Sequence, residues 1–363
     1  MPADMQVNEY FSADYQQARR AFLDAALAAG GNVESFLNPA SEQGGEQLFT
    51  DIALLGPEDA ENILVLMSGT HGVEGFGGSG VQVGLLREGI SGKLLPDTGL
   101  VMIHAVNPYG FANLRRFNED NVDLNRNFVD HSQAYPENRE YDQLADVIAP
   151  RRLSAYTDVS SALSVLWYRL RHGSARLQHA VTHGQYAHPQ GLFYGGHFAT
   201  WSNRRLHEIA ERYLAGAARV VVIDLHTGLG PYAYGEVIVN DPEDAPAYQR
   251  AVTWWGEERV KSTIKGESVS AHLSGTIKMA FSRMLPDTEV TAVGLEFGTL
   301  PPMEVFKAIR AENWLYHHGG PDHADAIKIK QQLLRAFYPD DELWKYKVWE
   351  QGRLVVEQAL VNL

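Results

Sequence analysis

The run Asn62-Ile63-Leu64-Val65-Leu66-Met67-Ser68 is apolar at every interior position, then breaks into Gly69-Thr70-His71-Gly72-Val73-Glu74-Gly75. It reads as a buried strand meeting a glycine-punctuated turn. Arg219 to Leu225 carries the strongest central-strand signal in the chain, and Gly99 to Val106, Tyr234 to Val239 and Thr291 to Phe297 are further strands. Helical spacing fills much of the sequence between them. Strands of this kind need cover on both faces, so the expected fold is a three-layer α/β/α sandwich with a mixed, mostly parallel central sheet.

Phe11, Tyr15, Ala18, Phe22 and Ala25 recur at steps of three and four, predicting a helix from Tyr10 to Ala29 closed by Gly30-Gly31. Leu48 to Leu55 alternates as a strand, and Val81 to Arg87 and Ser202 to Leu214 read as helices. Gln143 to Arg171 is helical, with Leu163, Leu166, Trp167 and Leu170 on one face, and Gly191 to Gly196 is a short strand-like run. Beyond Pro301-Pro302 everything reads as helix. These signals suggest one α/β domain over residues 1–300, with a helical insertion at about 130–190, and a helical extension over 301–363 packed on it.

The chain has 363 residues, a net charge of -14, and no block of Lys and Arg longer than a pair such as Arg115-Arg116. Nothing in it could track a phosphate backbone, which argues against nucleic acid as a partner. Cysteine is absent, so any zinc must be held by histidine and carboxylate. The first ten residues do not resemble a signal peptide, and no stretch approaches the ~18 apolar residues of a membrane span, so a cytoplasmic protein without a membrane partner is expected. The oligomeric state is left open.

Four strands lead into residues that chemistry can use. Asn62–Ser68 delivers His71 and Glu74. Gly99–Val106 leads through Asn107-Pro108-Tyr109-Gly110-Phe111 to Arg115, Arg116 and the segment Asn121 to Phe128. Arg219–Leu225 delivers His226, and Thr291–Leu295 delivers Glu296. Ligands of open α/β sheets bind outside the carboxyl ends of the strands. Imidazole and carboxylate are good zinc ligands, and a catalytic zinc usually takes three from the protein plus water. The convergence therefore suggests a metal site with an anion clamp and a spare base.

The ordered set H-x-x-E, N-P-x-G-F, D-x-N-R-N-F (Asp123 to Phe128), His226 and Glu296 resembles the zinc carboxypeptidase superfamily, which includes carboxypeptidase A, aspartoacylase and succinylglutamate desuccinylase, over roughly Asn62 to Leu300. The resemblance implies a carboxypeptidase-like fold, with His71, Glu74 and His226 as zinc ligands and Asp123 orienting a ligand imidazole. It implies that Asn125 and Arg126 grip a substrate carboxylate. Arg116, with Arg115 as its rival, would polarise the scissile carbonyl, and Glu296 would be the general base toward zinc-activated water. The implied activity is zinc-dependent hydrolysis of an amide beside a free carboxylate, in a peptide or an acylated amino acid. The alternatives are an aspartoacylase-like deacylase of N-acyl amino acids and a non-catalytic carboxylate-binding zinc protein. The tyrosine that carboxypeptidases carry on a mobile loop has no counterpart between Ser270 and Ala280. His272, Tyr232 and Tyr234 are the possible substitutes. Lys278 and Arg283 fall where the superfamily builds its specificity pocket and suit an acidic side chain.

Plainer readings stand beside these: a capping His71, a core His226, a Glu296 held in a structural ion pair, surface positions for Arg116 and Arg126. Gly75-Phe76-Gly77-Gly78-Ser79-Gly80 matches a nucleotide-binding pattern, but Val101 to Val106 ends without the required acid, so these glycines are read as close packing. His207-Glu208 lacks a second histidine at Glu211, and no G-x-S-x-G elbow exists because position 81 is Val81. His172, His179, His183 and His188 read as a solvated looped run, as do His317, His318 and His323.

Overall fold

The computed structural model describes residues 7–43, 46–268 and 273–363. Its strands are β1 (Asn32–Leu37), β2 (Phe49–Leu55), β3 (Asn62–Ser68), β4 (Thr98–His104), β5 (Arg219–Tyr232), β6 (Gly235–Val239), β7 (Val260–Ser262) and β8 (Glu289–Gly298). They form one eight-stranded sheet in the order β1-β2-β4-β3-β5-β8-β6-β7. The central strands β4, β3, β5 and β8 are parallel. Antiparallel pairs join β1 to β2, β2 to β4 and β6 to β8.

The helices are α1 (Tyr15–Ala28), α2 (Gly75–Arg87), α3 (Pro108–Ala112), α4 (Leu124–Asn127), α5 (Arg139–Ile148), α6 (Ala155–His172) and α7 (Ser174–Thr182). They continue with α8 (Trp201–Tyr213), α9 (Pro246–Trp255), α10 (Ile277–Met284), α11 (Pro302–Trp314), α12 (Ala326–Phe337) and α13 (Glu342–Asn362). One face of the sheet, carrying Leu64, Leu66, Val221, Ile223, Leu225, Val293 and Leu295, packs with residues of α1, α2 and α13 such as Phe22, Val81 and Trp344. The other, carrying Val65, Met67, Val220, Val222 and Ala292, packs with Leu206 and Ile209 of α8 and Ile277 and Phe281 of α10. Each such side chain contributes about 1.5–3 kcal/mol by leaving water. This is the expected three-layer sandwich with a mixed, mostly parallel sheet.

The alternation that sorts the core also sorts the chemistry. Successive strand residues point to opposite faces, so Asp224 and His226 follow Val220 and Val222 onto the α8/α10 side. Gly294 and Glu296 follow Ala292 in the same way. The parallel ladder pairs Asp224 with Gly294 and His226 with Glu296.

Several sequence expectations change. β5 runs on to Tyr232, so His226 lies within its strand rather than after it, while Glu296 lies within β8 as the expected run Thr291 to Phe297 implied. The helix expected from Tyr10 begins at Tyr15, capped by Asp14. α2 starts at Gly75 instead of Val81. The helical stretch from Gln143 divides into α5 and α6, and the apolar face of α6 is turned outward: Leu163, Trp167 and Leu170 are 62%, 59% and 79% exposed. The strand-like run at Gly191 reduces to one bridge between Gln185 and Tyr194. His172 and His179 lie in helices, not in a loop. The glycines of α2 do serve close packing: a Cβ on Gly78 would lie 2.7 Å from Cβ of Ser68, and one on Gly75 2.6 Å from the Phe111 ring.

Candidate active site

β3 ends at Ser68, and Gly72–Glu74 form a single 3-10 turn that feeds α2. The N–H of Gly72 donates to the Arg116 carbonyl (3.2 Å) and that of Val73 to the Arg115 carbonyl (2.8 Å), so the arginine segment is tied to the H-x-x-E turn by backbone. Gly72 is required by that closeness: a Cβ there would lie 2.0 Å from the Gly110 carbonyl carbon.

Nδ1 of His71 lies 3.0 Å from Glu74 Oε1, and Nδ1 of His226 lies 2.9 Å from Glu74 Oε2. Ligand atoms of these three buried residues all fall within 4.8 Å of one another, and no other such group occurs among the described residues. The far nitrogens are also engaged. Nε2 of His71 is 3.2 Å from Asp123 Oδ1, and Nε2 of His226 is 2.7 Å from Asp224 Oδ2. Thr70 Oγ1 donates to the other oxygen of Asp224 at 2.8 Å. Nε2 of His71 also lies 2.9 Å from Arg116 Nη2, so it can accept there while Nδ1 donates to Glu74. His226 has carboxylate oxygen at both nitrogens, whereas a neutral ring carries one N–H, so positive charge has to lie between that ring and Glu74, as an extra proton or as a metal ion. Two imidazoles and one carboxylate, with outer carboxylates fixing ring orientation, fit zinc.

The charges are mutually dependent. Burial works against the Glu74 carboxylate, but His71 and Arg116 outweigh it and hold its pKa well below the usual range. Asp123 is likewise held low against burial, by Arg126, His71 and Arg116. Burial works against a charged His226, yet Asp224 and Glu74 push it up to about 10.

Arg116 and Arg115 part company. Arg116 lines the cavity, with Nη1 2.6 Å from Glu74 Oε1 and Nε 3.4 Å from Asp123 Oδ2. Arg115 points into the protein, where it pairs with Glu312 at 2.8 Å, donates to Asn121 and lies 3.3 Å over the Tyr316 ring. The rival is structural. Arg126 lines the cavity but is almost wholly buried; it donates to the Asn125 and Thr182 carbonyls, while its Nε has no partner. Such an orphaned donor suits an anionic ligand. Asn125 also lines the cavity, its Oδ1 taken by the Ile277 N–H.

Glu296 lies in the same cavity and accepts from the Leu229 N–H at 3.0 Å. Burial first, then the neighbouring Glu74 charge, push its pKa up to about 7, against His226 and Arg116. Lys278 is buried beside it and donates to the Ile238 carbonyl at 3.3 Å. A Cβ on Gly294 would lie 3.0 Å from Lys278 Nζ, so the glycine leaves the ammonium its room. Burial draws Lys278 down to about 8 despite Asp224 and Glu296. The whole cavity measures about 1050 Å³.

Some expectations do not converge here. Arg283 donates to the Met279 and Phe128 carbonyls and does not line the cavity. Tyr232 is turned to Asp341, and neither it nor Tyr234 lines the cavity. His272 lies outside the described residues. Asp224, in contact with His226, is not among the sequence candidates; its signal is its place two positions before His226, on the same strand face.

The family described as "Protein of unknown function (DUF2817)" matches residues 11–351. No curated protein matches the sequence. Solved structures similar to this one include carboxypeptidase A from Helicoverpa armigera, at 11% identity and TM-score 0.46, with 90% of this chain and 74% of that one covered. A metallo-carboxypeptidase from Burkholderia cenocepacia aligns at 13% identity and TM-score 0.42, covering 92% and 68%. The succinylglutamate desuccinylase from Chromobacterium violaceum aligns at 17% identity and TM-score 0.38, covering 88% and 74%.

Proposed function

The chain belongs to the DUF2817 family, and from its buried His-Glu-His cluster we propose that it is a zinc-dependent hydrolase cleaving an amide bond next to a free carboxylate, in the manner of a carboxypeptidase. The observation that carries this reading is the company the cluster keeps: Arg116, Asn125, Arg126 and Glu296 line one cavity with it. His71, Glu74 and His226 would hold the zinc. When bound, zinc supplies Lewis acidity that polarises a carbonyl and acidifies water toward ~7.

The chain's own groups supply the rest. Arg126, with its orphaned Nε, and Asn125 receive the substrate carboxylate, a planar guanidinium being suited to that group. The Glu296 carboxylate takes a proton from the attacking water and returns it to the amine that leaves as the C–N bond breaks. A carboxyl raised toward neutral pH is matched to both transfers. Arg116 brings a fixed positive charge to the oxygen on which negative charge develops.

The same bond joins the last residue of a peptide and an N-acylated amino acid. The extensive apolar helical walls of the cavity favour the second as a further reading. The test is hydrolysis of blocked dipeptides and N-acyl amino acids by the zinc-loaded protein. Loss of turnover in Glu296→Gln, with one zinc retained per chain, is expected. Turnover that survives both chelation and Glu296→Gln would overturn the proposal, and a zinc-loaded protein inert toward every such amide would leave a carboxylate-binding protein in its place.

A further inference from the structure

We infer that the group this site removes is a long hydrocarbon acyl chain, so that the substrate class is an N-acylated amino acid of amphiphilic shape. The inference rests on the hydrolase reading above for the bond that is cut, and on the division of the cavity walls for the group that is removed. The polar lining around the cluster comes from the H-x-x-E turn, the segment before α4, α4, α10 and the strands: His71, Arg116, Arg126, His226, Lys278 and Glu296. Away from it the wall is mainly apolar and comes from other elements, interrupted by side chains such as Arg169, Gln178 and Lys307. α5 gives Leu144 and Val147, α6 gives Val165, α7 gives Val181, and α11 gives Phe306 and Ile309.

The volume of about 1050 Å³ lies just above the range of about 300–1,000 Å³ usual for small-molecule sites. A zinc ion, an amino acid and a short acyl group would leave most of it unfilled. A peptide would fill it poorly, because each residue brings an N–H and a C=O that need partners. The leucine, valine, isoleucine and phenylalanine side chains that make up most of this wall offer none, whereas a hydrocarbon asks for none. Leu166 belongs to the cavity wall and is also 50% exposed, within the outward apolar stripe of Val159, Leu163, Trp167 and Leu170 on α6. The apolar lining therefore reaches the protein surface, and the chain need not end inside.

The experiment separates binding from cleavage. Kd for N-acetyl, N-octanoyl and N-dodecanoyl derivatives of glutamate and leucine is measured by calorimetry on zinc-loaded Glu296→Gln, and kcat/KM on the parent protein. Each buried methylene should tighten binding about fourfold, the equivalent of ~0.8 kcal/mol. Losses from partial burial still leave at least about 100-fold between acetyl and octanoyl. Val181→Trp, which fills the apolar wall, should reduce that ratio to within about tenfold. A Kd that does not change with chain length overturns the inference, whether or not the compounds are cleaved. Affinity that climbs with chain length in a protein that cleaves none of them upholds the seating of an acyl chain in the cavity and overturns the hydrolase reading, and with it the removal of that chain. Equal Kd values with equal turnover of acetyl and octanoyl compounds do the reverse.

Discussion

Asp224 Oδ2 lies 2.7 Å from Nε2 of His226, two positions along the same strand, and Thr70 holds the other oxygen of that aspartate. The pair fixes the ring so that Nδ1 is the nitrogen turned to Glu74. Asp123 treats His71 in the same way from the opposite side of the cluster. Two histidines from distant segments are thus presented alike, each by its own buried carboxylate, and the readiness of the site for a cation depends on both.

Asp224→Asn keeps the shape and removes the charge. Zinc affinity, measured by competition with a chromogenic chelator, should fall about 10–100-fold. Undiminished affinity would mean that the aspartate serves the strand and not the ligand.

Glu296 gives the metal-free protein a pH signature. Its carboxyl is raised from 4.5 to about 7 by burial and by Glu74, so the folded state favours the protonated form more than the unfolded chain does. Stability from this group is full below the unfolded value and is lost as pH rises through the folded one. Denaturant unfolding should show Glu296→Gln more stable than the parent by on the order of 1–3 kcal/mol at about pH 8, and scarcely different near pH 5. A constant difference at both would discard the assignment.

The adjacent arginines should fail differently. Arg116→Ala should lower kcat of the zinc-loaded protein by about 10²–10³. Arg115→Ala leaves buried Glu312 with Lys330, at 2.8 Å, as its remaining ion-pair partner among the described residues. It should therefore cost about 3 kcal/mol of stability in a denaturant titration.

Lys278 should discriminate between amino-acid products. Its ammonium, drawn down to about 8 by burial, is charged below that pH and neutral above it. Preference for N-acyl glutamate over N-acyl leucine, read as a ratio of kcat/KM, should fade as pH passes upward through about 8. In Lys278→Met the ratio should drop by at least about tenfold and lose its pH dependence. A ratio unmoved by the substitution would assign the lysine to packing against Gly294.

Legibility in the sequence followed burial. β3 matched its apolar run residue for residue, and β5 and β8 were placed by theirs, because a strand covered on both faces has few polar positions to obscure it. The proposed ligand trio could be named through the resemblance that the ordered motifs carry, since histidine and glutamate at such places also serve as caps, core groups and surface pairs. Edge strands were harder: β1 is mostly exposed or half-buried, and β7 has three residues, too few for a period to show. Asp224 hid inside the apolar run that announced its strand. The outward face of α6 was invisible for another reason. Periodicity reveals that a helix has an apolar side, not what that side will meet.

His226 and Glu296 occupy one rung of the ladder between β5 and β8. Sliding either strand by a single residue would rotate its functional side chain into the opposite layer, among leucines and valines. The alignment of two neighbouring strands therefore carries the proposed metal ligand and the proposed proton acceptor together. Misalignment during folding would yield an inert protein rather than a slower one.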